Sequence, residues 1–360
     1  MIPRRSFLAL AALPTFLKAA GRGSELAPAV SPYDDLATDL SVTRLTDPAV
    51  SSILPRASSG PLSRRGNFML FASDSSGRYE AYRMDLKKGE ARQVTEADAL
   101  MPSSLTLLPN GNTFYYFDGD RLMSASFSTA RPTQLYKLEA GFEATGDVHV
   151  SSDGLYAALV EKRDSTHRLR LITIRTSSAT TLAEDNEEMG APITRPKRAS
   201  VLYRRGGGLF LANFDGKQNY KLRVADGEVK QALWSPDGRT VLYLHAPIEE
   251  GKPTSLREFV PDSNEDRAIA ETSQFAAFDR NGDASVFVGA GGSKVSPYVM
   301  LLVRTVKREL TLCEHRAGDP TMVAPMFSPN SQQIYFNSDL HGKPAIYRMD
   351  VEKLVEATEQ

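Results

Sequence analysis

From Thr43 onward the chain alternates short apolar runs with tight polar turns, and nothing there has the period of a long amphipathic helix. Runs such as Phe68-Met69-Leu70-Phe71, Thr113-Phe114-Tyr115-Tyr116, Val241-Leu242-Tyr243-Leu244 and Gln333-Ile334-Tyr335-Phe336 carry the aromatic and β-branched residues of strands. Each follows a turn of one design: Ser63-Arg64-Arg65-Gly66, Leu108-Pro109-Asn110-Gly111 and Ser235-Pro236-Asp237-Gly238 before the first three, and Ser328-Pro329-Asn330-Ser331 before the last. Further copies are Ser151-Ser152-Asp153-Gly154, Asp279-Arg280-Asn281-Gly282 and a weaker Arg195-Pro196-Lys197-Arg198. Their fourth residues are 66, 111, 154, 198, 238, 282 and 331, spaced by 45, 43, 44, 40, 44 and 49. A fixed period in this range is the mark of a β-propeller. Seven turns predict seven blades.

Within a repeat, a second alternating run follows, such as Glu80-Ala81-Tyr82-Arg83-Met84-Asp85, and a short closing run such as Arg92-Gln93-Val94-Thr95. With the run that leads into each turn, this makes four antiparallel strands per blade. The last repeat ends after Tyr347-Arg348-Met349-Asp350 and lacks its closing strand, while Val42-Thr43-Arg44-Leu45-Thr46-Asp47 has closing-strand character without a preceding blade. The expectation is an all-β seven-bladed propeller whose ring is closed by that N-terminal strand, which covers two exposed sheet edges.

Composition narrows the function classes. A formal net charge of −1 leaves no global field to recruit nucleic acid or an acidic membrane. Cys313 is the only cysteine, which rules out an internal disulfide framework and a cysteine-rich metal site. Its setting, Leu310-Thr311-Leu312-Cys313, reads as an outer strand holding a buried, inert thiol. Residues 1–20 open with Arg4-Arg5-Ser6-Phe7-Leu8, continue through a short apolar stretch and end in small residues. That is the form of a secretory signal of twin-arginine type, too short to span a membrane comfortably. The predicted organisation is a signal over 1–20, a flexible tether over 21–40 and one propeller over 41–360. The predicted location is periplasmic or extracellular.

The last repeat, Phe327-Ser328-Pro329-Asn330-Ser331-Gln332-Gln333-Ile334-Tyr335-Phe336 with Gly342-Lys343-Pro344-Ala345-Ile346-Tyr347, resembles the repeat of TolB-type propellers. The opening Val42-Thr43-Arg44-Leu45-Thr46-Asp47-Pro48, the runs 83–95 and 231–238, and the closing Ser338-Asp339-Leu340-His341-Gly342 resemble a narrower group, the oligogalacturonate lyases of pectin breakdown. That resemblance runs from about Val42 to Val351 and implies β-elimination of oligogalacturonides. It also implies manganese, held by three histidines and a glutamine above the channel, with a further histidine as base.

At those positions this chain departs from the pattern. The family's Thr-His-Pro-His-Pro stretch matches Thr321-Met322-Val323-Ala324-Pro325, so Met322 and Ala324 replace two ligand histidines. The ligand glutamine falls near Asp319, the third ligand histidine at Gln274, and the base at Gln231. A thioether and a methyl group do not replace two imidazoles on manganese, and an amide is not a general base. The expectation is a family member without the metal or the elimination activity, or with divergent chemistry, that meets acidic oligosaccharide. The alternative is a non-enzymatic TolB-like propeller binding a protein or peptide.

Other candidates are sparse. Of five histidines, His149 in Asp147-Val148-His149 approaches the channel and joins Gln231, Gln274 and Asp319 as a candidate substrate contact. An oxygen-rich hard-cation site would require Asp319, Gln231, Gln274 and Asp147 to converge. The basic clusters Arg64-Arg65, Arg195-Lys197-Arg198 and Arg204-Arg205 suit bidentate contacts to a polyanionic sugar, although solvated turn charges are commoner. Arg204-Arg205-Gly206-Gly207-Gly208 reads as a tight hairpin, since no helix follows to make a phosphate cradle. There is no nucleophile elbow, Walker sequence or His-Glu-x-x-His. Convergent charge at the channel mouth would favour a sugar acid, and a broad apolar patch a protein partner.

Overall fold

The computed structural model describes residues 21–128, 131–249, 251–272, 275–293 and 295–352. Seven antiparallel sheets form seven blades, as the repeat predicts. Five are four-stranded and two are five-stranded. Blade three is representative, with strands Glu143–Val150, Tyr156–Arg163, Thr166–Thr173 and Ser178–Asp185 in order from the channel outward. Three short 3₁₀ turns, Ala57–Ser59, Pro102–Ser104 and Pro320–Met322, are the named helical elements among the described residues.

The hydrophobic core lies between blades. Phe68, Leu70 and Ala72 of blade one pack with Leu105, Phe114 and Tyr116 of blade two. Leu45, Met69, Phe71 and Tyr82 pack with Tyr335 and Ile346 of blade seven. Both faces of a blade's middle strands are therefore buried, which explains runs such as Phe68–Ser73 that are buried at every position. Cys313 sits in the outermost strand of blade six, fully buried, and burial pushes its thiol well up.

Ring closure follows the expectation: Ser41–Arg44 joins the last blade, with Thr43 opposite Arg348 and Arg44 opposite Tyr347. The tether does not. Glu25–Leu26 adds a fifth strand to blade one, against Arg92 and Ala91. Ser31–Asp34 adds a fifth strand to blade seven, against Ser41–Arg44. Asp35 then accepts from the Glu314 N–H at 2.9 Å, and the Thr38 hydroxyl donates to the Leu312 carbonyl at 2.7 Å. Residues 21–40 are thus a strap across blades one, seven and six. Their Gly, Ala, Pro and Ser content suggests a coil, but open strand edges supply a partner that local propensity does not register. Pro32 is tolerated because its strand is an edge. Gly89 is required where the strap crosses, since a Cβ there would lie 2.6 Å from Val30. The signal predicted over 1–20 lies outside the described residues.

The turns also behave as read, with two shifts: in the weaker Arg195 turn Lys197 and not Arg198 takes the left-handed position, at φ 59°, and blade six differs as well. Gly66, Gly111, Gly154 and Gly238 all adopt left-handed φ, from 64° to 71°. In blade six the turn sits two residues later than the sequence suggests. Asn281 accepts from the Ser285 and Val286 N–H groups, and Ala284 takes the left-handed position at φ 61°. Asp279 is not free for the turn, because its carboxylate accepts from the Phe327 N–H of blade seven.

Candidate functional site

The inner strands surround a central cavity of about 750 Å³. Four of them break register against their neighbours: between Ala144 and Val148, Gly190 and Ile193, Val229 and Gln231, and Phe275 and Ala277. A bulge leaves a residue unpaired and re-aims its side chain. The bulged residues Asp147, Ala191, Lys230 and Ala276 all line the cavity.

Much of the polar chemistry on this wall is spent joining blades. Gln231 donates its amide to the Phe278 carbonyl at 2.8 Å and accepts from the Phe278 N–H at 2.9 Å, so it copies a strand partner for blade six. Asn337 does the same for Leu54, at 3.0 and 2.8 Å, between blades seven and one. Arg280 donates to the Trp234 carbonyl at 3.0 Å. Burial pushes the Asp279 carboxyl up and the Arg280 guanidinium down.

The predicted site residues separate. His149, Gln231 and Ala324 line the cavity. Asp319 is exposed, and its Oδ1 accepts from both the backbone and the hydroxyl of Thr321, which caps its own short turn. Met322 is half exposed. Gln274 lies outside the described residues. The hard-cation arrangement is not assembled: Asp147 pairs with Arg56 at 3.5 Å, and Gln231 and Asp319 are engaged as above. Among the described residues, no group of three His, Cys, Asp or Glu is placed to hold a metal ion.

His149 keeps hydrogen-bonding capacity to spare among the described residues. Its Nδ1 lies 3.2 Å from the Thr194 N–H and 2.9 Å from the Thr194 hydroxyl, and burial pushes its pKa down to about 4. The other histidines pack structurally. His245 and His315, both buried, bond the carbonyls of Asp226 and Gly291, while His341 bonds Tyr347 and His167 the Ser165 carbonyl.

The basic clusters divide too. Arg195 is buried against Trp234, its guanidinium 4.8 Å from the ring centre, and donates to the Gly238 carbonyl. Arg205, beside the predicted Gly206 hairpin, pairs with Asp185 and Glu187. Arg204 reaches the cavity wall and donates to the Val229 and Lys230 carbonyls. Sequence reasoning missed Arg56, Lys230 and Arg280 on the wall. Lys230 had a faint signal, because Val229-Lys230-Gln231-Ala232 breaks strict alternation where the bulge falls. Arg56 had none.

A family model for oligogalacturonate lyase matches residues 20–298. Oligogalacturonide lyase of Pectobacterium atrosepticum is 25% identical over 377 residues, covering 91% of this chain and 97% of that protein. Oligogalacturonate lyase of Dickeya dadantii matches with the same identity and coverage. Among solved structures, an oligogalacturonate lyase in complex with manganese superposes with a TM-score of 0.86 at 24% identity, covering 92% of this chain and 98% of its own. Oligogalacturonate lyase of Vibrio parahaemolyticus gives 0.85 at 23% identity, covering 92% and 99%.

Proposed function

The chain belongs to the oligogalacturonate lyase family, and from that premise we propose that it is an exported member that binds acidic, pectin-type oligosaccharide without the metal-dependent elimination. The observation that carries this reading is Gln231. At the position where the family resemblance puts the base, both polar atoms of its amide are committed to the Phe278 backbone. An amide in that setting neither takes a proton nor turns toward a ligand.

The donor chemistry agrees. Manganese prefers oxygen and nitrogen ligands, and the matched positions offer a methyl group at Ala324, a thioether at Met322 and a carboxylate at Asp319 folded onto Thr321. These side chains do not fit the ion. For binding, the cavity wall carries Arg56, paired with Asp147, Lys230, paired with Glu228, and Arg204, held on the Val229 and Lys230 carbonyls, cations of the kind that meet uronate carboxylates. Among the described residues the most exposed large hydrophobics, Leu36, Val295 and Ile248, stand on separate connections between strands, which favours a sugar acid over a protein partner. The basic start of residues 1–20 followed by an apolar stretch supports export.

The test is oligogalacturonide turnover with and without manganese, followed by ultraviolet absorbance of the unsaturated product, beside calorimetric titration of digalacturonate. A flat absorbance trace with measurable binding is expected. Metal-dependent growth of absorbance would overturn the reading.

A further inference from the structure

The strand Glu143–Val150 sends Val148 and Val150 into the blade core and leaves Asp147 and His149 on the cavity wall. His149 faces the wall by regular alternation with Val148 and Val150, whereas Asp147 reaches the same wall through the bulge between Ala144 and Val148. The tautomer of His149 follows from its partner. A backbone N–H can only donate, and the Thr194 N–H points at Nδ1 from 3.2 Å. Nδ1 is therefore the acceptor, and the ring proton sits on Nε2. Among the described residues no hydrogen bond engages Nε2, and His149 is half-buried on the cavity wall. On the same cavity wall, the Arg56 guanidinium crosses from blade one to within 3.5 Å of the Asp147 carboxylate.

We infer that His149 is a specificity-determining residue of the channel, a neutral donor whose Nε2–H binds a carboxylate oxygen of a uronate sugar. Arg56 supplies the second donor to that carboxylate, and Asp147 accepts from a neighbouring sugar hydroxyl. The inference rests on the channel being the saccharide site proposed above. A neutral imidazole suits this task because it gives direction without a second full charge. The ring stays neutral near pH 7, since burial holds its pKa near 4. A proton on Nε2 also makes His149 a donor rather than a base, so the inference adds recognition and no chemical step.

The experiment joins imidazole 15N NMR of the wild-type protein to calorimetric titration of digalacturonate into wild type, His149→Ala and His149→Gln. The expected spectrum shows Nε2 protonated and Nδ1 bare, with the Nε2–H signal moving on titration. Affinity is expected to fall about tenfold in His149→Ala. It should stay within about threefold in His149→Gln, whose amide can accept from Thr194 and donate to the ligand. A protonated Nδ1, or unchanged affinity in both variants beside a binding wild type, would overturn the inference alone. A wild type that does not bind digalacturonate would overturn the saccharide reading and this inference with it. The NMR arm needs no variant to fold.

Discussion

Gln231 offers the sharpest quantitative test, because its two bonds to Phe278 are the main reason to regard the matched base position as structural. In Gln231→Ala the Phe278 N–H and C=O lose partners at 2.9 and 2.8 Å. Each such bond contributes about 0.5–1.5 kcal/mol net, so the pair is worth about 2 kcal/mol. Channel water can reach this wall, which argues against the far larger cost of two sealed, unpaired groups. For a chain of 360 residues the unfolding entropy is about 0.8 kcal/mol per degree, so the midpoint should drop by about 3 °C in scanning calorimetry. Gln231→Glu sharpens the argument. The introduced side chain keeps the acceptor for the N–H but turns a carboxylate oxygen onto the Phe278 carbonyl. Its folded pKa should rise, because only the protonated form can donate to that carbonyl. A raised folded pKa contributes stability that is full below the unfolded value, near 4.3, and lost as pH climbs through the folded value. The gap to wild type should therefore be small at pH 4 and wider at pH 7. If Gln231→Ala melts within 1 °C of wild type and the Gln231→Glu gap ignores pH, the clasp is not holding blades five and six together.

Two further outcomes are expected. Starting the chain at Ser41 instead of Gly21 removes both added strands and the Asp35 and Thr38 bonds to blade six, and should lower the calorimetric midpoint by about 5 °C and speed limited proteolysis; equal midpoints would return the segment to the status of a tether. Burial alone would raise the Glu258 carboxyl, but Arg304 and Arg267 outweigh it and hold the group below its ordinary 4.5. A depressed folded pKa contributes stability that is present above the unfolded value and lost as pH falls through the folded one. The advantage of wild type over Glu258→Gln should accordingly be full at pH 6–7 and shrink below about pH 4.5 in a thermal-melt series.

The repeat period, the four-strand grammar and the two incomplete ends were enough to predict seven blades and the closure at Val42, because they are carried by residues close in sequence. A serine or asparagine that folds onto its own turn, and a glycine at left-handed φ, declare themselves within five positions. The expected departure from the family's chemistry was read in the same way from residue type, since neither the Met322 thioether nor the Ala324 methyl group is an imidazole. Three things needed the tertiary structure. Glu25–Leu26 and Ser31–Asp34 are strands only because open edges receive them, at Ala91 and Arg92 in blade one and at Ser41–Arg44, itself held on the Arg348 and Tyr347 strand of blade seven. Gln231 and His149, both neutral polar residues on inner strands, look alike in sequence. One is consumed by the Phe278 backbone of the next blade, while the other meets Thr194 with one nitrogen and keeps a donor for the channel. The meeting of Arg56 with Asp147 across the channel, and the exposure of Lys230 on its wall, were likewise set by ring closure and strand bulges. The residue type limits what a side chain can offer, and the packing of one blade on the next decides whether the offer is already taken.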